Sequence, residues 1–435
     1  MNLTMPLRFT SVAALLATNA AFAETTITIA TVNNGDMIRM QGLTEDFTSK
    51  NPDIKLEWVT LEENVLRQRV TQDIAAKGGQ FDVMTIGTYE VPIWAKQDWL
   101  VSLEDLPAEW DKDDILPAIR GGLTVNDNLY AAPFYGESSM VMYRKDLMAD
   151  AGMEMPEAPT WDQIAKAAEA MTDKEKGIYG ICLRGKAGWG ENMAFLSAMA
   201  NSYGARWFDE NWTPQFDTEE WAATLNTYMD LMNNYGPPGA STNGFNENLS
   251  LFQQGKCGMW IDATVAASFV TNPTDSTVAE HVGFALAPDN GLGKRGNWLW
   301  AWSLAIPAGS DATEEAKKFV AWATSKEYTA LVAENEGWAN VPPGTRTSLS
   351  ENEENKKVPF AEITLNSINS ADPTNPTVDP VPYTGVQFVA IPEFAGIATQ
   401  VGQEFSAALA GQQSVEEALE KAQALTADEM EAAGY

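Results

Sequence analysis

The sequence predicts an α/β protein with two successive α/β layers. Strand and helix patterns alternate over residues 24–86, and a second alternating region spans roughly residues 137–289. An extended, largely apolar segment at residues 130–147 lies between them. The order strand, helix, strand indicates an open α/β layer. The length of 435 residues favours two or three domains.

The first α/β layer begins with apolar residues alternating with threonine over residues 24–32, which predicts a strand. A turn at residues 33–36 follows, with Asp36 as the expected N-cap of a helix. Residues 54–59 predict a second strand. Residues 81–86 predict a nearly all-apolar third strand, as in the interior of parallel sheets.

The second layer begins with a helix for which Thr160 is the expected N-cap. Strands are predicted at 178–183, 257–261 and 282–287, and helices at 194–203, 219–235 and 248–254. Residues 297–307 then place Trp298, Trp300 and Trp302 at a spacing of two, which puts them on one face of a strand. Helices at 313–326, 393–410 and 414–426 are predicted beyond it.

The segment at residues 130–147 contains a carboxylate in apolar surroundings. Pro133 disfavours helix for the residue before it, and Gly136 permits unusual backbone angles. Glu137 is costly to bury unless a polar group meets it. Two interpretations stay open: a buried strand whose glutamate reaches a donor or the surface, or a crossing between domains with Glu137 facing a ligand.

Composition excludes several classes of function. The 60 acidic residues outweigh 28 basic ones, for a net charge of −32, which disfavours binding to nucleic acid or anionic lipid. The single histidine, His281, leaves no histidine-based metal cluster. No phosphate-binding glycine motif occurs, and the glycine-rich residues 185–190 lack a nucleotide-binding spacing. No cofactor or metal is expected.

The first 23 residues have the pattern of an export signal. Arg8 precedes an apolar run at residues 12–17, and residues 21–23 form a small-x-small cleavage pattern before Glu24. We therefore expect a periplasmic protein, without a lipid anchor because no cysteine follows the cut. Cys182 and Cys257 are expected to be two buried free thiols, and an exported setting also permits a disulfide between them.

Polar and aromatic residues follow several predicted strands. In open α/β sheets, ligands bind beyond the carboxyl ends of the strands. Polar side chains can bond hydroxyl groups there, and aromatic faces can cover the C–H surface of a carbohydrate. The alternative for each residue is a turn or core role. The residues at such ends are Asn33, Asn34, Tyr89, Glu137, Trp189 and Asp262.

Two other classes of function stay open at this point. Glu137 and Asp262 are the candidate carboxylate pair of a glycoside hydrolase. A surface adhesion or scaffold protein is the third class, and it predicts no change of shape with a ligand.

Several segments resemble the extracellular solute-binding proteins of ABC sugar importers, the maltose-binding-protein superfamily. Residues 130–133 read Tyr-x-x-Pro, residues 143–147 read Tyr-Arg-Lys-Asp-Leu, and residues 160–162 read Thr-Trp-Asp. Residues 80–83 match a Pro-Asp-Val strand with Phe in place of Pro. Residues 252–259 match Phe-x-x-Gly-x-x-Ala-Met with Gly in place of Ala. The resemblance covers essentially the whole mature chain and is nearest to binding proteins for polyols such as sorbitol and mannitol.

The resemblance implies a type II periplasmic-binding-protein fold, with hinge-crossing strands and a ligand cleft between the lobes. The implied lobes are residues 24–134 plus 298–345 and residues 135–297 plus 346–435. The expected ligand is a polyol, with a mono- or oligosaccharide as the alternative, and the expected partner is a membrane permease. A monomer that is not an enzyme is expected. The implied ligand-binding residues are Asn33, Asn34, Glu63, Tyr89, Glu137, Trp189, Trp260, Asp262, Trp298, Trp300 and Arg346.

Overall fold

The computed structural model describes residues 24–435, so the predicted export signal lies outside the described residues. The strands are β1 (Thr25–Val32), β2 (Ile54–Leu61), β3 (Val83–Ile86), β4 (Thr124–Val125), β5 (Asn128–Leu129), β6 (Ala132–Glu137), β7 (Ser139–Arg144), β8 (Tyr179–Cys182), β9 (Cys257–Ala263), β10 (Val282–Leu286) and β11 (Trp300–Ala305).

The α-helices of the described chain alternate with these strands. They are α1 (Gly35–Gly42), α2 (Glu45–Lys50), α3 (Glu63–Ala76), α4 (Glu90–Ala95), α5 (Pro117–Gly122), α6 (Lys145–Asp150), α7 (Trp161–Met171), α8 (Asn192–Ser202), α9 (Glu219–Tyr235), α10 (Phe245–Gln253), α11 (Ala266–Val270), α12 (Thr313–Ala323), α13 (Lys326–Glu336), α14 (Thr347–Glu351), α15 (Ala361–Ser370), α16 (Phe394–Leu409) and α17 (Val415–Ala433).

Two main sheets organise the chain. The first has the order β2-β1-β3-β11-β6, and the second has the order β10-β7-β9-β8. In the first sheet β1 runs parallel to β2 and β3, whereas β11 is antiparallel to both of its neighbours. This sheet is therefore mixed rather than wholly parallel. The returning β11 enters from the end where the other strands finish, so it must run in the opposite direction.

The first crossing from one sheet to the other takes a single residue. β6 ends the first sheet at Glu137 and β7 begins in the second sheet at Ser139, so Ser138 joins them. This position lies beyond the boundary at 134/135 expected from sequence, which falls within β6.

The return crossing before β11 lies beside Ser138. Ser138 Oγ donates to the carbonyl of Trp298 at 2.6 Å, and Asn297 Nδ2 donates to Ser138 Oγ at 3.1 Å. Ser139 Oγ also donates to the carbonyl of Gly296 at 3.2 Å. The two crossings are thus hydrogen-bonded to each other.

Helices cover both sheets. α3 and α12 pack against β1, while α7, α9 and α10 pack against β8 or β9. The last two helices, α16 and α17, form an antiparallel pair against α8 and α9. No helix of residues 24–435 has the length and apolar character needed to cross a bilayer.

Local capping explains where some elements differ from expectation. Asn34, not Asp36, caps α1, because its Oδ1 accepts from the amide of Met37 at 3.0 Å. Thr160 caps α7 in a capping box, as predicted. The helix predicted at 313–326 ends earlier, at Ala323, because Ser325 caps the next helix, α13, by accepting from the amide of Tyr328.

The two cysteines form a disulfide, so the expectation of two free thiols is wrong. Cys182 on β8 and Cys257 on β9 have Cα atoms 5.9 Å apart. Both lie in a buried apolar cluster with Met142 and Trp260. Sequence spacing could not reveal this contact, because it depends on the pairing of β8 with β9.

Candidate functional site

A cavity lies where the ends of strands from the two sheets meet. Its volume is about 90 Å³. The first lobe contributes Asn33, Asn34, Glu62, Glu63, Tyr135 and Glu137. The second contributes Arg184, Lys186, Glu191, Phe245, Asn246 and Glu247.

A recess lined by tryptophan continues from this cavity. Trp189, Trp298, Trp300 and Trp302 line it together with Arg67 and Gln387. The two spaces share Glu63, Glu137, Arg184 and Trp302. The period-two tryptophans thus face the same space, as the strand pattern predicts.

Glu137 is the last residue of β6 and lies opposite Trp300 on β11. Only 6% of it is exposed, and no group of residues 24–435 forms a hydrogen bond to its carboxylate. Burial raises its pKa well above the usual range; Arg184 opposes this rise, and nearby acidic groups, Asp262 first, add to it. The group borders the cavity, where a donor from outside the chain can reach it.

Arg184 lies two residues after the end of β8, and Asp262 holds its guanidinium in place. Its Nε and Nη2 donate to the carboxylate of Asp262, the closest contact being 2.7 Å. Asp262 also accepts from Trp260 Nε1 at 3.0 Å and from the amide of Ala263 at 2.7 Å. Although burial lowers the pKa of Arg184, Asp262 and Glu191 raise it overall. The guanidinium is therefore a fixed positive donor group at the cavity wall.

Arg67, on α3, is a second fixed cation. Its guanidinium donates to Glu63 at 2.8 Å and to Glu90 at 2.7 Å. It lies 4.0 Å from the ring centroid of Trp189 and 4.7 Å from that of Trp302. Ion pairing and cation–π contact hold it in one position. Glu90 is buried in this network.

Glu191 adds a further carboxylate to the cavity. It lies 3.4 Å from Lys186 Nζ and 3.6 Å from Arg184 Nη1. Its Oε2 atom is buried without a hydrogen-bond partner within residues 24–435. Burial raises its pKa to about 7, with Glu63 adding to the rise. The cavity and the recess together therefore combine several carboxylates with three cations, Arg67, Arg184 and Lys186.

The asparagine pair after β1 lies at the cavity edge, as predicted. Asn34 Nδ2 donates to Tyr135 Oη at 2.6 Å, so its side chain both caps α1 and orients the tyrosine. Asn33 Oδ1 accepts from Asn246 Nδ2 of the opposite lobe at 3.4 Å.

Three predicted residues support the cavity from behind. Asp262 and Trp260 are fully buried and act through Arg184. Tyr89 donates to the carbonyl of Ile391 at 3.0 Å, and its ring packs 4.8 Å from that of Trp189. None of the three lines the cavity or the recess.

Arg346 lies outside the site. Its guanidinium donates to the carbonyls of Asp111 and Thr324, and it stacks 5.0 Å from the Trp110 ring. It borders a different cavity. The arginines that border the cavity and the recess are Arg184 and Arg67.

Sequence reasoning missed several lining residues, chiefly Arg67, Arg184, Lys186 and Glu191. The rule that ligand-facing groups follow strand ends could have found Arg184, which lies just beyond β8. Arg67 stands four residues after Glu63 on one helix face. Glu191 carried no such signal, because it lies beyond the glycine-rich loop.

Residues 34–330 match the family described as bacterial extracellular solute-binding protein. The chain belongs to this family. It is 56% identical over 410 residues to a mannitol-binding protein of Pseudomonas aeruginosa, covering 94% of each chain.

Solved structures agree with this assignment. A solute-binding protein of Agrobacterium vitis, solved with bound D-mannitol, is 71% identical and superposes with a TM-score of 0.94, covering 94% of this chain and 99% of that one. A ribitol complex from Agrobacterium radiobacter, 24% identical over 93% of this chain and 98% of that one, shares the fold at a TM-score of 0.82. The predicted two-lobed type II fold is confirmed.

Proposed function

We propose that this protein captures an acyclic polyol such as mannitol or sorbitol outside the cytoplasm and delivers it to an ABC importer. The observation that carries this proposal is the 71% identity to the Agrobacterium vitis protein that binds D-mannitol. The 56% identity to the Pseudomonas aeruginosa mannitol-binding protein supports it.

The chemistry of the cavity fits this ligand class. Every carbon of a hexitol bears a hydroxyl, which both donates and accepts hydrogen bonds. The carboxylate of Glu137 accepts from hydroxyls, whereas Arg184 donates to them, and such charge-assisted bonds are the stronger kind. The tryptophan recess covers the C–H surface. Together these contacts are suited to micromolar affinity, about −8 kcal/mol.

The proposed ligand-contacting residues follow from their positions. They are Asn33, Asn34, Glu63, Glu137, Arg184, Lys186, Glu191, Trp189, Trp298, Trp300 and Trp302. Tyr89, Trp260 and Asp262 hold these groups in place.

The proposed action is binding without bond cleavage. A glycosidase would need two carboxylates free to act on one bond. Both oxygens of Asp262 are already bonded to Arg184, Trp260 and Ala263, so the pair Glu137 and Asp262 cannot serve.

Export, oligomeric state and partner complete the proposal. The protein is exported through its first 23 residues, acts as a monomer and docks on permease subunits. The chain passes from the first lobe to the second at Ser138, and it returns to the first lobe between β10 and β11. A hinge there would let the lobes close on the ligand.

A fluorescence titration tests the ligand class. Because four tryptophans line the recess, D-mannitol or D-sorbitol should change the intrinsic emission in a saturable way. D-Glucose and maltose are the comparison ligands. The absence of any response to both hexitols would contradict the proposal.

A further inference from the structure

The glycine-rich loop, residues 185–190, joins the second lobe to the first. Lys186 pairs with Glu62 just before α3. Asn64 Nδ2, on α3, donates to the carbonyl of Ala187 at 3.2 Å. The loop lacks the spacing of a nucleotide-binding motif. In the structure it forms contacts between the two lobes.

The approach of the two lobes depends on the absence of side chains in this loop. A Cβ atom at Gly190 would lie 2.2 Å from Glu63 Oε1 and 2.9 Å from Arg67 Nε. Both atoms belong to the opposite lobe. Gly190 has no positive φ, so alanine meets no backbone strain there. The three atoms nearest to an added methyl group at this position therefore all belong to the other lobe.

The conflicting side chains cannot move away freely. Arg67 is tied to Glu90 at 2.7 Å and packs over Trp189 and Trp302. Glu63 is held by Arg67. Displacing either one breaks a buried ion pair, so the clash at Gly190 has a real cost.

The same loop also contacts the ligand-facing arginine. The carbonyl of Gly190 accepts from Arg184 Nη1 at 2.8 Å. Lys186 lines the cavity beside Glu191. The loop thus connects the wall of the site to the contact between lobes.

The geometry points to the glycine-rich loop as a clasp that holds the lobes closed over the ligand, with Gly190 as its positioning residue. This inference rests on the proposed function and adds a limit on ligand size. A second bridge, between Asn33 and Asn246, lines the same cavity. Ligands must therefore be short enough to be enclosed, as monomeric alditols are and alditols carrying an additional sugar are not.

Gly190→Ala tests the clasp, with Gly121→Ala as the matched control. An added Cβ at Gly121 meets no atom within 4 Å. Gly190→Ala should raise the Kd for D-mannitol about 10-fold or more, mainly through a faster dissociation rate, as overpacking in the closed state predicts. The melting temperature without ligand should match that of the control. A Kd and a dissociation rate within about twofold of the unmodified protein would overturn the clasp.

Asn64→Ala provides a second variant that adds no clash and changes no residue of the cavity or the recess. It removes the hydrogen bond to the carbonyl of Ala187, so dissociation of D-mannitol should again be faster. An unchanged dissociation rate in both variants overturns the inference. If the unmodified protein does not bind D-mannitol, the proposed function fails. If it binds and both variants behave like it, only the clasp fails.

Maltitol tests the limit on ligand size. This alditol carries one additional glucose, so the unmodified protein should bind it at least about 100-fold more weakly than D-mannitol, a difference of about 2.7 kcal/mol. Equal affinity for the two would overturn the limit.

Discussion

Glu137 is the residue on which ligand binding is expected to depend most. Its carboxylate is buried, faces the cavity and has no protein hydrogen bond within residues 24–435. A carboxylate in this state destabilises the folded chain until a donor meets it. The lack of a protein donor for this carboxylate therefore lowers the stability of the ligand-free protein, and it also lets a ligand that supplies a donor bind more tightly.

Replacing Glu137 with glutamine should weaken binding far more than folding. Losing a charged hydrogen bond to a hydroxyl costs about 1.5–3 kcal/mol, so the Kd for D-mannitol should rise about 10- to 150-fold. The melting temperature should stay the same or rise, because the unmatched charge is removed. Calorimetry and thermal unfolding measure the two effects, with exposed Glu175→Gln as the control. A large fall in melting temperature with unchanged Kd would refute this role.

Glu191 should make the stability of the ligand-free protein depend on pH. Burial raises its folded pKa from 4.5 to about 7, so the folded state binds this proton more tightly than the unfolded state does. Stability should therefore fall as pH rises from about 4.5 to about 7. Denaturant unfolding at pH 5, 6, 7 and 8 should show a weaker fall in Glu191→Gln. Parallel curves for the two proteins would argue against this.

At the residue scale, the sequence predicted which types of side chain line the site better than it predicted which individual residues do so. The asparagine pair, Glu137 and three of the four predicted tryptophans, Trp189, Trp298 and Trp300, border the cavity or the recess, whereas Trp260 does not. Arg346 does not, because a sequence shows a charge without showing which carboxylate meets it. Arg184 and Asp262 form their pair only when β8 lies beside β9.

At the scale of elements, strands with a clear period were predicted well. The apolar run of β3 and the tryptophan spacing of β11 both became buried strands. The start of a helix was harder to predict where two neighbouring residues could both act as the N-cap. At the start of α1, Asp36 was expected to be the cap and Asn34 is the cap. The direction of β11 could not be predicted, because it follows from the path of the chain through the other lobe.

The disulfide between β8 and β9 should stabilise the second lobe. It closes a loop with a sequence separation of 75, and restriction of the unfolded chain predicts a contribution of about 4 kcal/mol. The Cys182→Ala/Cys257→Ala variant should therefore lose about 2–4 kcal/mol in denaturant unfolding. A loss below about 0.5 kcal/mol would show that the bond is not a major support.

The crossing strand β6 depends on a close backbone approach. A Cβ at Gly136 would lie 2.2 Å from the carbonyl oxygen of Gly344, and the Gly136 amide donates to Pro343 at 2.9 Å. Since the obstacle is backbone, Gly136→Ala should cost about 1–3 kcal/mol of unfolding free energy. Gly396→Ala on α16, where an added Cβ meets nothing within 4 Å, is the control. Equal stability of the two variants would contradict the close approach.

At the scale of the whole molecule, the order of strands and helices predicted two α/β lobes and their crossing. The position of the crossing, at Ser138, required the sheets themselves. The disulfide and the contact between the glycine-rich loop and α3 join residues distant in sequence, and local patterns carry no information about them.

Closure should be visible in the size of the molecule. If the lobes close on the ligand, small-angle scattering should give a smaller radius of gyration with saturating D-mannitol than without it. Maltose at the same concentration is the control. An unchanged radius in the presence of bound D-mannitol would favour a site that is already closed.

The central claim is that the cavity between the sheets binds an acyclic polyol, and isothermal titration calorimetry of residues 24–435 with D-mannitol tests it most directly. The account predicts saturable binding of one D-mannitol per chain, with a Kd near or below about 1 μM, equivalent to about −8 kcal/mol. The absence of saturable binding up to millimolar D-mannitol would contradict it.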